Sequence, residues 1–332
     1  RDSVASRGLG DVYKRQLLDF DIRWLWPSAQ AEGALCSCPV TAEALTGALH
    51  ALAQQGIEPF GVYVTSPDYL GGVQDIPALA AVCRAQGVPL LVDNAHGAYL
   101  RFLPQNCHPI AQGAAMCCDS AHKTLPVVTG GAYLHLAHDA PVQDEAAVRG
   151  ALALFGSTSP SYLILQSLDA CNAVLAGDYP RRLAQCCAAL EGVRRSLNKA
   201  AAVRQCPVPL AVAGAQQEPM KLTLDAAALG CTGTALAESL RRAQMECEYA
   251  DPRYVVLMFT PENPPQDFER LQTALEQLLA AVPAGLPRPE NRAGEFAALQ
   301  QQAVQRCTIR QAVLGAQVRL SLIHISEPTR RY

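Results

Sequence analysis

The chain has 332 residues, half of them apolar, and a formal net charge of −3. That length sustains a large core and a second, smaller lobe. The near-neutral balance argues against nucleic acid as the main partner, and no apolar run approaches the ~18 residues of a membrane span.

Both ends differ from the rest. Arg1–Gln16 and Ser321–Tyr332 are polar and join the flanking patterns abruptly. They are similar to translated sequencing-adapter read-through and are read as a non-native leader and tail. The natural chain is then expected to extend beyond both, and the sequence to be a fragment.

Taken in order, Thr41–Gly56 predicts a helix, with Thr41 as its cap, Leu45, Leu49 and Leu52 as its apolar stripe and Gly56 as its stop. Phe60–Ser66 reads as a buried strand, and "PDYLGGVQD" as a loop of turn formers. A helix over Ile76–Gly87 leads to strands over Val88–Asp93, Ala114–Ser120 and Gly130–Leu136. Short apolar strands alternating with helices predict a mostly parallel sheet covered by helices. A helical connector starts near Ser159 and runs on through "DYPRRLAQCCAALEGVRRSLNK". Beyond about Val208 a smaller α+β pattern follows: strand "MKLTLD", a helix capped near Thr232, strand "YVVLMFT" and helix "QDFERLQTALEQLLAAV". The expected organisation is a large domain over 17–180, a small α+β domain over 181–282, and a linker with the start of a truncated C-terminal domain over 283–320.

The 13 cysteines include Cys36, Cys38 and the adjacent pairs Cys117–Cys118 and Cys186–Cys187. None has the CxxC…CxxC spacing of a zinc site, and no secretory leader is visible. They read as reduced small hydrophobes in a cytoplasmic protein, with no metal expected.

Two motifs carry chemistry. "DNAHGAY" places Asp93 and His96 at a strand end, and "SAHK" places Ser120, His122 and Lys123 at another, with Lys123 following Asp93 by 30 residues. In a parallel sheet, reactive side chains gather at the carboxyl ends of strands. Pyridoxal 5'-phosphate asks for this set. Its aldehyde condenses with a lysine amine, and a carboxylate keeps its ring nitrogen protonated. Its phosphate needs hydroxyl, imidazole or N–H donors, and its ring oxygen takes a donor. Lys123, Asp93, Ser120 with His122, and His96 fill these needs. The lysine must shed its proton readily, which burial and a nearby pyridinium favour. Each residue also has an ordinary reading. Asp93 can be a cap or turn residue, Lys123 a solvated surface charge, and His96 a satisfied core histidine.

The segments "VYVTSPDYLGGVQDIPALAAVC", "LLVDNAHGAYLRF", "SAHKTLPVVTGGAYLH" and "GSTSPSYLILQSLDA" resemble the bacterial ornithine/lysine/arginine decarboxylases in their shorter form, and the likeness runs on to "TIRQAVLGAQV". The resemblance implies an aspartate-aminotransferase-like fold (fold type I), incomplete here. It implies a dimeric enzyme that decarboxylates a basic amino acid to its amine, within polyamine metabolism. Lys123 would carry the cofactor, Asp93 would pair with the ring nitrogen, and His96 would lie near the ring hydroxyl. Ser120 and His122 would lie near the phosphate, and Ser157 or Thr158 would reach the neighbouring subunit's phosphate. An ordinary cap before Pro160 is the alternative for that last stretch. The family's glycine–serine–threonine phosphate loop and ring-stacking histidine are not seen, and Asn94 stands where Glu or Ser is usual. Because that loop and that histidine are not seen, weak cofactor binding and little turnover are expected of this chain alone. The rival readings are an aminotransferase or lyase of the same fold, a non-catalytic relative, and a metal hydrolase using His96, His108, His122 and cysteines.

Overall fold

The computed structural model describes residues 22–25, 36–37, 39–156, 161–214, 216–283 and 286. Two sheets organise them. The first contains β1 (Val62–Thr65), β2 (Leu90–Asp93), β3 (Met116–Asp119) and β4 (Tyr133–Leu136), in that spatial order. Helix α1 (Ala42–Gln54) starts where Thr41 Oγ1 accepts from Ala44 N–H. Its buried Leu45 and Leu49 meet α2 (Ile76–Ala85), whose Ile76, Leu79, Ala80 and Cys83 close over Val62, Val64, Leu90 and Val92. Each such leucine, removed from water, contributes roughly 1.5–3 kcal/mol.

Strands β1, β2 and β3 are parallel, with Val62 opposite Leu90 and Leu91 opposite Met116. Strand β4 departs from the expected pattern by running antiparallel to β3, with Met116 opposite Leu136. Only the short helix α3 (Ala121–Thr124) and a turn at Gly130, with φ +100°, join the two strands. With a single turn of helix between them, no helix crosses the sheet face, and the chain reverses instead.

Helix α4 (Glu145–Phe155), capped by Asp144, was not foreseen. Helices α5 (Tyr162–Ala176) and α6 (Tyr179–Val203) form the connector. The second sheet has the order β5 (Lys221–Asp225), β7 (Tyr254–Met258), β6 (Tyr249–Ala250), all antiparallel. It packs with α7 (Gly233–Arg242), capped by Thr232 as expected, and with α8 (Pro265–Ala280). Leu183, Leu190 and Leu197 of α6 share one core with Leu222, Leu224, Leu271 and Leu275 of this lobe and with Tyr99 and Leu125 beside the first sheet. The segment entering β5 is thereby held against the strand ends of the first sheet.

Candidate active site

The carboxyl ends of β1, β2 and β3 are tied in series. Ser66 N–H donates to Asp93 O at 3.0 Å, and Asn94 N–H donates to Cys118 O at 2.9 Å. The two sequence motifs therefore leave adjacent strands side by side. Asp93 is buried, accepting from Tyr63 OH on Oδ2 and from Ala95 N–H on Oδ1, each at 3.1 Å. Two fixed donors hold the carboxylate plane.

Lys123 lies in α3, where its backbone N–H donates to Ser120 O at 3.0 Å. Its Nζ stands 3.2 Å from Nε2 of buried His96, so the structure brings His96 and Lys123 together. Ser120 is the residue from which α3 starts. His122 turns instead toward the β3–β4 turn, where its Nδ1 donates to Gly131 O at 2.9 Å. Thr158 and Ser157 lie outside the described residues, as do both suspect ends and most of 283–320.

Sequence reading missed a second layer. The loop after β1 folds on itself because Asp68 Oδ1 accepts Gly72 N–H at 2.7 Å and Gly71 adopts φ +87°. A Cβ at Gly72 would meet Asp68 Oδ2 at 2.7 Å, so the turn needs glycine there. The loop sets the Tyr69 ring edge-on to His96, with centroids 5.0 Å apart. Lys221, the first residue of β5, reaches back from the second sheet. Its Nζ donates to Asp68 O at 2.8 Å and lies 5.6 Å from the centre of the Tyr69 ring. Arg194 of α6 braces this segment by donating to the carbonyls of Pro219 and Lys221. Burial pushes the Lys221 ammonium down; the carboxylates of Glu218, Asp68 and Glu248 oppose that, while the like charge of Lys123 adds to it. A lysine and a glutamate three residues apart in "EPMKL", entering an apolar strand, were the available signal.

Glu218 is fully buried beside them, accepting from Tyr99 OH and, at 2.8 Å, from Met220 N–H. Burial pushes its carboxyl up to about 7 against the pull of Lys221 and the backbone donors. The folded chain thus keeps a proton that an unfolded glutamate, titrating near 4.5, has released. Its contribution to stability is full at acid pH and is lost as pH rises from about 4.5 to 7, by up to roughly 1.4 kcal/mol per pH unit. Glu218→Gln is expected to remove that slope, gaining on the parent protein between pH 5 and 8 in urea unfolding. Identical slopes in the two proteins would contradict the assignment.

A third cluster surrounds Asp119. His108 Nε2 and His135 Nε2 donate to its Oδ2 at 3.1 and 3.0 Å, and the Asn94 amide donates to Oδ1 at 2.7 Å. Burial opposes its charge, but these donors outweigh burial and hold the carboxyl well below the usual carboxylate range. His96 and His122 stand apart from His108, each in its own contact, so the three do not form the metal set of the hydrolase reading.

Solved structures with this arrangement of elements are fold type I pyridoxal-phosphate enzymes, and the chain has that fold. The lysine decarboxylase LdcF of Francisella novicida aligns with a TM-score of 0.60 and 19% identity over 77% of this chain and 41% of its own. The constitutive lysine decarboxylase of E. coli aligns at 0.57 and 20% over 78% and 42%. An archaeal O-phosphoseryl-tRNA(Sec) selenium transferase aligns at 0.60 with only 12% identity, over 81% and 62%, so these likenesses concern the fold alone.

The family model described as "Orn/Lys/Arg decarboxylase, major domain" matches residues 24–221, and the chain belongs to that family. Among curated relatives, the uncharacterised protein YaaO of Bacillus subtilis (strain 168) is 33% identical over 60% of this chain and 41% of its own length. The arginine decarboxylase of the same organism is 28% identical over 66% and 45%. The chain thus spans less than half the length of these two relatives.

Proposed function

We propose that this chain is part of a pyridoxal-phosphate-dependent decarboxylase that converts lysine, ornithine or arginine to the corresponding amine and carbon dioxide. The observation that carries the reading is the meeting of Lys123 Nζ with His96 Nε2 beside the strand end that holds buried Asp93. The donor set suits the cofactor: an amine for its aldehyde, a fixed carboxylate for its ring nitrogen, and Ser120 with the start of α3 for its phosphate.

When bound, the cofactor supplies an electron sink for the pair left on Cα as carbon dioxide departs. The protein supplies charge, orientation and proton handling. Asp93, fixed by Tyr63 and Ala95 N–H, presents its carboxyl group in one orientation. Lys123 provides the attachment amine, and His96 Nε2, 3.2 Å away, can hold or return a proton at its Nζ. Tyr69, set by the folded loop after β1, packs edge-on against the imidazole and fixes its plane.

The full-length gene product, supplied with cofactor and each basic amino acid, is expected to release one carbon dioxide per amine formed. A keto acid as the product would instead identify an aminotransferase.

A second copy of the chain is the proposed partner. Tyr162, Leu163 and Leu165 on α5 are exposed, and so is Val128, whose N–H ties it to that helix through Ser167 Oγ; exposed apolar side chains here suit a contact between copies. Leu163→Glu in the full-length protein is expected to shift sedimentation toward the monomer. A dimer of unchanged strength would place the contact elsewhere.

A further inference from the structure

The Asp119 cluster has a use that the proposed reaction does not call on. His108 stands at the head of the 3₁₀ turn Pro109–Gln112. Cys117 and Asp119 are two apart on β3 and so share one face of the strand. Their donor atoms converge. His108 Nε2 lies 3.1 Å from Asp119 Oδ2, Cys117 Sγ lies 3.4 Å from Asp119 Oδ1, and Cys117 Sγ lies 3.9 Å from His108 Nε2. All three residues are buried.

We propose that His108, Cys117 and Asp119 form a site for a divalent transition-metal ion of the zinc class. Metal–nitrogen and metal–oxygen bonds of about 2.0 Å and a metal–sulfur bond of about 2.3 Å give tetrahedral edges of about 3.3 Å between N and O and about 3.6 Å to S. The N–O and S–O separations lie near these edges but engage different oxygens of Asp119, so an ion entering among the three groups takes both carboxylate oxygens or turns the carboxylate to present one of them. The donor types select the ion. Imidazole, thiolate and carboxylate together suit zinc or cobalt, whereas calcium and magnesium ask for oxygen alone.

Charge and protons balance. One thiolate and one carboxylate neutralise the dication, and the imidazole stays neutral, as a buried site requires. Cys117, whose thiol now donates to Asp119, releases one proton to solvent. The imidazole proton of His108 passes from Nε2 to Nδ1, giving up the contact from Ile110 N–H, at 3.4 Å a weak bond.

An outer layer is already in place. The Asn94 amide and His135 hold the two oxygens of Asp119 in orientation, as partners of metal-bound carboxylates do. His108, Asp119 and His135 line a cavity of about 590 Å³, which gives an entry path and room for a water as fourth ligand. Sequence spacing hid the set: a Cys-x-Asp on a strand and a histidine nine residues upstream match no metal signature. The inference stands apart from the decarboxylase reading, since none of the three residues is given a part in the reaction.

Cobalt(II) is the probe. The reduced, chelator-treated full-length protein is titrated with cobalt(II) and followed for the near-ultraviolet thiolate-to-cobalt charge-transfer band. One equivalent per chain is expected to develop the band, zinc(II) to bleach it, and Cys118→Ser to leave it intact. Cys117→Ser is expected to abolish the band and weaken cobalt binding by roughly 10–100-fold, with unchanged circular dichroism. No band, or a band that survives Cys117→Ser, overturns the proposal. Should that variant fail to fold, X-ray absorption of the zinc-loaded parent protein decides. One sulfur at about 2.3 Å among nitrogen and oxygen ligands supports the site, and a shell without sulfur refutes it.

Discussion

Lys123→Ala in the full-length protein is expected to reduce decarboxylation by at least about 10³-fold while leaving the circular dichroism spectrum unchanged. The loss is large because the substitution removes the attachment amine and a proton carrier together, and proton transfer alone contributes roughly 10²–10⁴-fold. The fold should survive. The backbone of Lys123 is held through Ser120 O, and neighbouring Ala121 and Leu125 fill the core whatever stands at position 123. Added methylamine should recover part of the rate, since the missing group is a primary amine. Activity within tenfold of the parent would mean that Lys123 is not the attachment point.

Asp93→Asn is expected to lower the rate by roughly two to four powers of ten. Removing one partner of a buried charge pair costs roughly 3–5 kcal/mol, and each 1.36 kcal/mol is tenfold in rate. The substitution is isosteric, so one oxygen can still accept from Tyr63 or from Ala95 N–H, and the strand end should keep its shape. Titration with cofactor should then show weaker binding as well as slower turnover. If both binding and turnover in Asp93→Asn match the parent, the carboxylate is a turn residue and no more.

The parallel core was legible because its strands are short apolar runs that stop on polar residues. β2 stops at Asp93, and β3 stops at Asp119 before Ser120. Thr41 and Thr232 announced their helices because a side-chain oxygen before an apolar period has one common use. The direction of β4 was not legible, since its apolar pattern fits either orientation. Two-residue β6 is too short to carry a period at all.

At the site, the two motifs could be found because each gathers several polar residues at one strand end. Tyr69 could not, and "EPMKL" signals the pair Glu218 and Lys221 without showing that it joins this site. They come from a loop and from the edge of a second sheet, and only the packing of α6 and β5 brings them close. The Asn94 amide, donating to Asp119, ties the strand end carrying Asp93 to the one leading to Lys123.

Borohydride reduction of the cofactor-loaded full-length protein, followed by peptide mapping, tests the central claim most directly. A single pyridoxyl label is expected, on Lys123, and none at that position in Lys123→Ala. A label on Lys221 or on any other lysine, with Lys123 unmodified, would contradict it.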